Sequence, residues 1–580
     1  MAPLIGIDLG TTNSLCAVFE TDGPKLIPNA HGQVLTPSIV GVTEKDQVLI
    51  GATAKELRVT RPERCAWAFK RWMGTDRTID LGGHEFNAPA LSSIVLQSLK
   101  QDAEAYFGEP VQDAVITVPA YFNDNQRKAT KAAGELAGLR VLRILNEPTA
   151  AALTYGFHDR EAERKLIVID LGGGTFDVTT MEVFEGTLEI ISTAGEGTLG
   201  GEDFTDRLLG WVLEGRGLSL ETSELRHPLL VSRLRQECEA AKCRLFEGDG
   251  AQIRIPDVQG KYNENPPHVE LNRADFAKLV DPLVKRLARP ISKAIRDSRQ
   301  PVEQFSDVIL VGGATRMLPL REFVRTFFSR EPLCKFNPDE VVALGAAVQA
   351  ALIRDDRAVS DIVMTDICPF TLGVEVSKEF GRTFSNGYFL PVIHRNTTIP
   401  VSREQVVQTV HPNQAEIRLA VYQGDARKVK DNLFLGELSV RGIPAGPSGQ
   451  PVHVRFTYDL NGILEVEALI PETGKRFSTV LTNHAKNLSK SELQSAVKLM
   501  QKLKFYPRDD AQNRHLVLYA ERIVGEVSPF QRDELEGAID AFEQSMSSGE
   551  REYFEQARGG LLTILSMLGF PYENDDRSPS

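Results

Sequence analysis

The stretch from Ile167 to Val178, which reads IVIDLGGGTFDV, restricts the possible folds of this chain more than any other. An apolar strand ends at Asp170, glycines 172, 173 and 174 follow, and a second strand leaves through Thr175 and Asp177. This is a strand–turn–strand unit, whereas the glycine loop of a P-loop opens a helix. Because glycine tolerates positive φ and has no Cβ, we expect backbone N–H groups of Gly172, Gly173 and Gly174 to close on an anion.

Three polar side chains accompany this glycine turn. Thr175 adds a hydroxyl, and Asp170 and Asp177 flank the turn, which suits a hydrated cation that travels with a phosphate. The alternative is a tight hairpin with surface aspartates.

A second copy of the pattern favours the phosphate interpretation. Leu4 to Val18 reads LIGIDLGTTNSLCAV, with Asp8 at the strand end, then Gly10 and the hydroxyls of Thr11 and Thr12. Two such hairpins about 160 residues apart predict a duplicated architecture that holds one nucleotide between its halves.

Composition excludes several classes of protein. The 580 residues correspond to about four domain-sized units. The formal net charge of -13 and the lack of a basic run argue against nucleic acid as the main partner. Met1 is followed almost at once by the first strand, and no apolar stretch is long enough for a bilayer, so we expect a cytoplasmic protein without a membrane partner. Six scattered cysteines without C-x-x-C spacing indicate reduced thiols.

Two charged side chains stand out between the hairpins. Lys70 lies in AWAFKRWMG, where an amphipathic helix with a lysine that extends to solvent is an equal alternative. Glu147 lies at a strand-to-helix junction, where open α/β sheets bind ligands, although a carboxylate there can also complement the helix dipole.

The segment after the central hairpin repeats this logic. A third glycine-rich segment, Gly195 to Asp203, opens a helix at Asp203. Glu239 and Lys242 lie one turn apart on a later helix, and spacing alone favours a surface ion pair. GGATR at 312–316 turns from a buried strand into a helix, and Asn337-Pro-Asp339 precedes the last helix of this half.

Periodicity changes twice further along the chain. From Thr371 to Val480 apolar residues alternate with polar ones, which predicts an antiparallel β-unit. Helical spacing returns at 489–505, about 508–526, 529–547 and 549–568. The patterns therefore indicate a duplicated α/β region, a short linker, an antiparallel β-unit, a helical region and a short polar tail.

The ordered set of motifs resembles the DnaK-type 70-kilodalton heat-shock chaperones, most closely the HscC subgroup. The motifs are GIDLGTTNS, FKRWMG, VPAYFND, NEPTAAALTYG, DLGGGTFDV, GGEDF, GGATRM, NPDEVVALGAAVQAA and NTTIPVS. The resemblance implies a multidomain α/β, β-sandwich and α-helical chaperone that acts on unfolded proteins. Its parts would be an actin-like two-lobe ATPase at 1–360, a linker at 361–366, an antiparallel β-sandwich at 367–487 that binds extended apolar peptides, an α-helical lid at 488–570 and a disordered tail at 571–580. It also implies ATP or ADP, Mg²⁺ and K⁺ as ligands, and a J-domain co-chaperone and a nucleotide exchange factor as partners.

The resemblance assigns roles to positions that match the family's motifs. Lys70 would reach the γ-phosphate and the attacking water, with Thr175 and Thr11 orienting the phosphate. Asp8, Glu147 and Asp170 would hold the water shell of Mg²⁺, and Asp177 with Asp8 would favour K⁺. The implied nucleotide-binding residues are Gly10, Thr11, Thr12, Asn13, Gly172, Gly173, Gly174, Gly200, Gly201, Glu202, Glu239, Lys242, Gly312, Gly313, Ala314, Arg316 and Asp339.

The same resemblance extends to coupling and to peptide binding. Pro119, Arg127 and Asp366 match positions that couple the ATPase to the second domain. The peptide groove would be lined by Val374, Val376, Ser377, Val407, Val410, Ile417 and Leu419, although some of them belong to the sheet core.

The sequence departs from the family pattern in two places. The linker IVMTD is less leucine-rich than usual, so its docking should bury less apolar area. At ~25 cal/mol per Å², the loss of docking free energy is roughly 1–2 kcal/mol. Ser377 stands where a bulky residue often arches over the peptide opposite Val410, so we expect a more open arch. Two rival classes remain at this point: a metabolite kinase with the same two-lobe core and an actin-like filament protein.

Overall fold

A computed structural model describes residues 3–158, 164–184, 187–354, 356, 359, 363–380, 383–459, 462–481, 511–524, 527–548 and 551–572. The helix expected over 489–505, Ile362 of the linker and most of the tail at 571–580 lie outside these residues. The chain divides into two compact units, Met1–Pro369 and Phe370–Ser580, each with its own core.

The first half of the first unit is built on a sheet with the order β11-β10-β1-β2-β3, in which β4 also pairs with β2. Strands β1, β10 and β11 are parallel, and β1, β2 and β3 form an antiparallel meander. The elements are β1 (Leu4–Asp8), β2 (Asn13–Glu20), β3 (Gly23–Ile27), β4 (Thr36–Pro37), β5 (Ile39–Val42), β6 (Val48–Ile50), α1 (Ala52–Thr60), β7 (Cys65–Trp67), β8 (Thr78–Asp80), β9 (Glu85–Asn87), α2 (Ala88–Phe107), β10 (Asp113–Val118), α3 (Asp124–Leu136), β11 (Arg140–Asn146) and α4 (Glu147–His158).

The second half repeats this topology with the order β17-β12-β13-β14-β18. Strands β12, β13 and β14 form the meander, β17 lies parallel to β12, and β18 lies parallel to β14. The elements are β12 (Arg164–Leu171), β13 (Phe176–Phe184), β14 (Thr187–Glu196), α5 (Gly201–Glu214), α6 (Leu220–Arg226), α7 (Pro228–Arg244), β15 (Gly250–Arg254), β16 (His268–Asn272), α8 (Arg273–Ser298), β17 (Asp307–Val311), α9 (Leu318–Phe328), α10 (Val341–Ile353) and β18 (Val363–Ile367).

Local sequence explains where several of these helices begin. The side chains of Asn87 and Asn272 cap α2 and α8, and Asn123 with Gln126 forms a capping box at the start of α3. The helix expected to open at Asp203 begins at Gly201, because the Asp203 carboxylate accepts the N–H of Gly200 from the third helical position.

Close packing joins the two halves of the first unit. Helix α10 crosses α4 so closely at Gly345 that an added Cβ would lie 1.7 Å from the carbonyl oxygen of Ala150. The same helix lies on β1, where a Cβ on Gly6 would lie 2.4 Å from the backbone of Ala346. Small residues are required where backbones approach this closely. The two repeated sheets are therefore held in one compact body.

The second unit contains two antiparallel sheets with the orders β20-β19-β23-β24 and β22-β25-β26-β27. The strands are β19 (Leu372–Phe380), β20 (Thr383–Ile393), β21 (Thr398–Ile399), β22 (Val401–Gln408), β23 (Glu416–Gln423), β24 (Leu433–Arg441), β25 (Pro451–Tyr458), β26 (Leu464–Ile470) and β27 (Lys475–Leu481). Both sheets contribute fully buried apolar side chains, including Val421 and Val440 from one sheet and Val454, Phe456 and Val466 from the other.

Three helices follow the sheets in the described part of the second unit. They are α11 (Ala511–Val524), α12 (Pro529–Ser548) and α13 (Arg551–Met567). Their apolar faces form a separate core around Leu516, Leu535, Phe542 and Leu561, and α12 lies against β22. Within the described residues, no helix combines the length and hydropathy needed to cross a bilayer. All six cysteines are free thiols.

Candidate nucleotide site

The two glycine hairpins meet tip to tip. A Cβ on Gly173 would lie 1.9 Å from the hydroxyl of Thr12, and a Cβ on Gly174 would lie 2.7 Å from the hydroxyl of Thr11. None of glycines 172–174 adopts the positive φ that glycine tolerates. The absence of Cβ at 173 and 174 is instead what the close approach of the opposite hairpin requires. Gly172 has open space beside it.

Between the hairpins lies a cleft of about 280 Å³. It brings together most residues that the sequence analysis named: Asp8, Gly10, Thr11, Thr12, Asn13, Lys70, Glu147, Asp170, Gly172, Gly173, Thr175, Gly201, Glu202, Glu239, Lys242, Gly312, Gly313, Ala314, Arg316 and Asp339. Gly174 and Gly200 stand behind this lining and pack on each other, since a Cβ on Gly200 would lie 2.4 Å from the Gly174 nitrogen. The cleft also includes residues that the motifs did not reveal: Leu15, Leu35, Cys243, Phe246, Pro338 and Val342.

Lys70 forms a buried ion pair at the floor of the cleft. It lies in a 3-10 turn, Phe69–Trp72, rather than in an amphipathic helix, so its side chain cannot extend to solvent. Its amino group is 2.6 Å from Glu147 Oε1, and the two side chains are 4% and 11% exposed. Glu147 is the first residue of α4, but its carboxylate is held by Lys70 and not only by the helix dipole. A positive charge is thus fixed among carboxylates at the cleft floor.

Three aspartates crowd around this ion pair. Burial raises the pKa of Asp8 to about 7, and the charge of Glu147 adds to the increase, although Thr117 donates a hydrogen bond to the carboxylate. Burial also raises the pKa of Asp170 well above its ordinary value, with further contributions from Glu147 and Asp177. The pKa of Asp177 rises to about 7 by burial and by the charge of Glu147.

These carboxylates carry more negative charge than Lys70 neutralises. Carboxylate oxygens are ligands that Mg²⁺ accepts, often through water. Buried carboxylates that repel one another become stable when a cation is present. The donor set of Asp8, Glu147 and Asp170 therefore fits a hydrated magnesium ion.

The opposite end of the cleft is lined by α5, α7 and the turn after β17. Lys242 is buried rather than on the surface: it donates to the carbonyl of Gly201 and to the Thr205 hydroxyl, both at 2.9 Å, while it also pairs with Glu239 at 2.7 Å. The surface-pair interpretation of Glu239 and Lys242 is therefore wrong, because the pair ties α7 to α5.

The turn after β17 supplies a second wall at this end. Gly313 approaches Asp339, where a Cβ would lie 2.3 Å from a carboxylate oxygen. Arg316 donates to Asp339 Oδ2 at 2.9 Å and to Asn337 Oδ1 at 2.6 Å. These two acceptors fix the Arg316 guanidinium, which lines the cleft as do Phe246 and Cys243.

One ion pair across the cleft was not predicted. Arg71, next to Lys70 in the first half, pairs with Asp203 of the second half at 2.5 Å and donates to the Gly173 carbonyl at 3.4 Å. Arg71 was visible in the FKRW motif, but its partner lies 132 residues away. Only the tertiary structure brings the two together.

A chain of hydrogen bonds leads from the cleft to the linker strand β18. The buried Asp177 accepts the N–H of Tyr121 at 3.0 Å, in the turn that Pro119 begins. Arg127 donates to the carbonyls of Ala120 and Phe122 in that same turn.

Asn146 completes this chain, although the sequence analysis did not name it. Its carbonyl oxygen accepts from Arg127 at 2.6 Å, and its amide donates to the Asp366 carboxylate at 3.0 Å. Asp366 lies in β18, which pairs with β14. Pro119, Arg127 and Asp366 are thus parts of one continuous path.

In the second unit, the predicted groove residues fall into two groups. Val374, Val407 and Leu419 are buried in the sandwich core. Val376, Ser377, Val410 and Ile417 are partly exposed.

Comparison with known proteins agrees with this architecture. The Hsp70 protein family model matches residues 4–557. The chain is 42% identical over 502 residues to the chaperone protein DnaK of Thermotoga petrophila and of Thermotoga maritima, a match that covers 85% of this chain and 82% of each relative. It is 41% identical over 502 residues to the chaperone protein DnaK of Thermotoga neapolitana, with the same coverage. The chain belongs to the Hsp70 family of ATP-hydrolysing, peptide-binding chaperones.

Proposed function

We propose that the cleft between the two glycine hairpins binds ATP and hydrolyses its γ-phosphate bond, with Lys70 as the principal catalytic residue. The observation that carries this proposal is the buried Lys70–Glu147 pair at 2.6 Å, set beside both hairpin turns. Phosphoryl transfer needs positioning and charge neutralisation more than covalent chemistry. Lys70 exchanges its contact with Glu147 for contacts with the γ-phosphate and the attacking water.

The two hairpins share the triphosphate between them. Gly173, Thr11 and Thr175 line the same cleft, and a backbone N–H with two hydroxyls favours an oxyanion. The Gly172 N–H instead donates to the Thr175 carbonyl at 3.2 Å and closes the hairpin. Thr175 and Thr11 orient the γ-phosphate from opposite sides. Because the donors come from both halves of the unit, ATP also ties those halves together.

Cations complete the charge balance at the floor of the cleft. Asp8, Glu147 and Asp170 hold the water shell of Mg²⁺, which when bound neutralises charge on the phosphates. Asp177, with Asp8, is the proposed K⁺ position, and the raised pKa of both carboxyls indicates that each gains from a neighbouring cation.

Adenosine occupies the other end of the cleft. Arg316 offers a planar guanidinium for stacking on the base, while Glu239 and Lys242 provide charged groups for the ribose. Gly313 allows close approach beside Asp339. Phe246 and Cys243 add an apolar contact that the motifs did not predict.

ATP hydrolysis in this cleft controls peptide binding by the second unit. The path from Asp177 through Pro119, Arg127 and Asn146 to Asp366 is the proposed connection between the nucleotide and the linker. Its first member, Asp177, is the proposed K⁺ position, so a change of cation there would act on the hydrogen bond to Tyr121 that begins the path.

Extended apolar segments of unfolded proteins are the proposed ligands of the β-sandwich. Val376, Val410 and Ile417 remain partly exposed and are available to such a segment, whereas Val374, Val407 and Leu419 form the floor. The helices after residue 488 are the proposed lid, supported by the contact of α12 with β22. The domain boundaries, a J-domain co-chaperone, an exchange factor, the cytoplasmic location and the HscC subgroup stay predictions.

Single-turnover hydrolysis tests the catalytic proposal. We expect Lys70→Ala to bind ATP within a few-fold of the original chain and to lose at least about 100-fold in hydrolysis rate, the scale of one transition-state electrostatic contact. Lys278→Ala, at a lysine whose side chain is 82% exposed on α8, is the matched control and should hydrolyse ATP normally. Equal rates in the two variants would reject the role of Lys70.

A further inference from the structure

The hairpin formed by β19 and β20 projects beyond the sheet that it belongs to. β19 pairs with β23 only at Leu372, Gly373 and Val374. Its pairing with β20 continues outward to Phe380 and Thr383. We call the outer part of this hairpin, the described residues of 376–388, the arm. Among the described residues, its strands have no ladder partner besides each other, and one isolated bridge joins Tyr388 at its base to Lys428.

A bulge bends the arm at its base. Pairing passes from Val376 with Tyr388 to Lys378 with Ser385, so Asn386 and Gly387 lie opposite the single residue Ser377. Gly387 adopts φ 84, a value that favours glycine, and the Ser377 hydroxyl is 2.7 Å from the Asn386 side chain. Bulges of this kind turn a strand out of its sheet. The small Ser377 is thus engaged within the arm and does not reach across the groove.

The arm contacts the turn between β22 and β23 through one aromatic pair. The ring centres of Phe384 and His411 are 6.1 Å apart with an interplanar angle of 76°, an edge-to-face arrangement. Phe384 is still 44% exposed, so this contact is made at the surface. His411 directly follows Val410, one of the partly exposed groove residues.

The turn that carries His411 is held firmly. The side chain of Gln414 accepts the N–H groups of Val410 and His411 at 2.9 and 3.3 Å. Asn413 donates to the Gly446 carbonyl at 2.8 Å, and Thr409 exchanges backbone bonds with residues 449 and 450. This turn has little freedom to move.

The base of the arm is held by cations around Tyr388. The Lys428 amino group lies 3.2 Å from the centre of the Tyr388 ring, and Lys378 lies 5.3 Å from it. The N–H of Phe389 also donates to the Arg427 carbonyl at 3.1 Å. Between this anchored base and the hydrogen-bonded turn, the Phe384–His411 contact is a surface contact between two separately held segments.

We propose that Phe384 and His411 form a latch that closes over an extended apolar peptide segment and sets how long that segment stays bound. In this proposal the contact that spans the peptide groove is made by the rings of Phe384 and His411. Ser377 and Val410, the positions that the family pattern suggests, do not make it. This inference rests on the proposed peptide-binding function of the β-sandwich. It makes Phe384 and His411 positioning residues for release, while Val376, Val410 and Ile417 contact the peptide.

Dissociation of a fluorescent apolar peptide from the full chain with ADP tests the latch. Phe384→Ala and His411→Ala should each speed release about 2- to 10-fold, the factor associated with one aromatic pair. The double variant should release no faster than either single variant, because both remove the same contact. His411→Phe retains an edge-to-face partner and should keep slow release.

Phe434→Ala is the matched control. Phe434 is 51% exposed and forms a comparable pair with Tyr422 at 5.4 Å, but it lies on β24 at the opposite edge of the same sheet. Slow release by this control together with fast release by Phe384→Ala supports the latch. Equal release rates for Phe384→Ala and Phe434→Ala refute the latch. If the original chain binds no peptide at all, the proposed peptide-binding function of the β-sandwich is refuted instead. Unchanged far-UV circular dichroism excludes unfolding as the cause.

Discussion

Replacing Asp177 with asparagine should stabilise the first unit when no nucleotide or metal is present. Asp177 is 1% exposed, and burial with the charge of Glu147 raises its pKa from 3.8 to about 7. Asparagine keeps the oxygen that accepts the Tyr121 N–H, so the substitution removes charge without removing the hydrogen bond. The pKa of Asp177 is raised by about three units. At 1.36 kcal/mol per unit, the ionised carboxylate destabilises the folded unit by about 4 kcal/mol at pH 8.

The direction of the pH dependence follows from the raised pKa. Below about pH 4 this carboxyl is protonated in both the folded and the unfolded chain and imposes no penalty. Between about pH 4 and pH 7 the folded chain retains a proton that the unfolded chain has lost. The free energy of unfolding therefore falls by about 1.4 kcal/mol per pH unit from this group alone. Asp177→Asn should remove that part of the slope.

Tryptophan fluorescence during urea unfolding provides the assay. The three tryptophans, Trp67, Trp72 and Trp211, all belong to the first unit, so the signal reports that unit in the full chain. Unfolding is measured in EDTA without K⁺ at pH 5 and pH 8. Asp22→Asn, at an exposed carboxylate, is the control and should follow the original chain. The reasoning is refuted if Asp177→Asn shows the same loss of stability between pH 5 and pH 8 as this control.

Three further substitutions test separate parts of the site. Asp170→Asn should weaken ATP binding about 10-fold in the presence of Mg²⁺, because it removes one carboxylate from the proposed water shell, and calorimetry with and without the metal should show the loss only with Mg²⁺. Arg71→Met should speed ADP release about 5-fold in stopped-flow fluorescence, because it breaks the half-buried ion pair with Asp203 that joins the two halves of the first unit. An unchanged release rate would mean that this pair does not hold the halves together. Asp366→Ala should slow ATP-triggered peptide release about 10-fold while ATP affinity stays the same, because it removes the hydrogen bond between Asn146 and β18. An unaltered release rate would exclude the proposed path from Asp177 to Asp366.

The rival functions fit the chain less well. A metabolite kinase shares a two-lobe core but leaves the sandwich and helices of Phe370–Ser580 without a role, and the family match extends through that region to residue 557. A filament protein would leave the same unit unexplained. ATP turnover that rises with apolar peptides, and not with small hydroxyl compounds, separates the chaperone from the kinase.

The nucleotide cleft was largely predictable because its chemistry lies in short local patterns. Each glycine turn follows a buried strand with an aspartate at or next to its end, Asp8 in β1 and Asp170 in β12, so each carboxylate lies beside the turn of its own hairpin. Spacing was misleading for Glu239 and Lys242, because an i,i+3 pair looks the same whether its face is exposed or packed against another helix.

The remaining contacts depend on which distant segments meet. Arg71 finds Asp203, and Asn146 finds Asp366, only after the two sheets pack together. Phe384 lies near the start of β20 and His411 in the connection between β22 and β23, and no periodic pattern relates them. The more open arch expected from Ser377 opposite Val410 stays a prediction. The bulge that engages Ser377 with Asn386 was not visible in the sequence pattern.

Peptide dissociation measured with ADP and with ATP on one preparation tests the central claim, that the state of the nucleotide controls the peptide site. We expect ATP to speed release at least about 10-fold relative to ADP in the original chain, which corresponds to about 1.4 kcal/mol of coupling. Lys70→Ala should stay in the fast-releasing state for as long as ATP is present, since it binds ATP without hydrolysing it. Equal release with both nucleotides in the original chain would contradict the account.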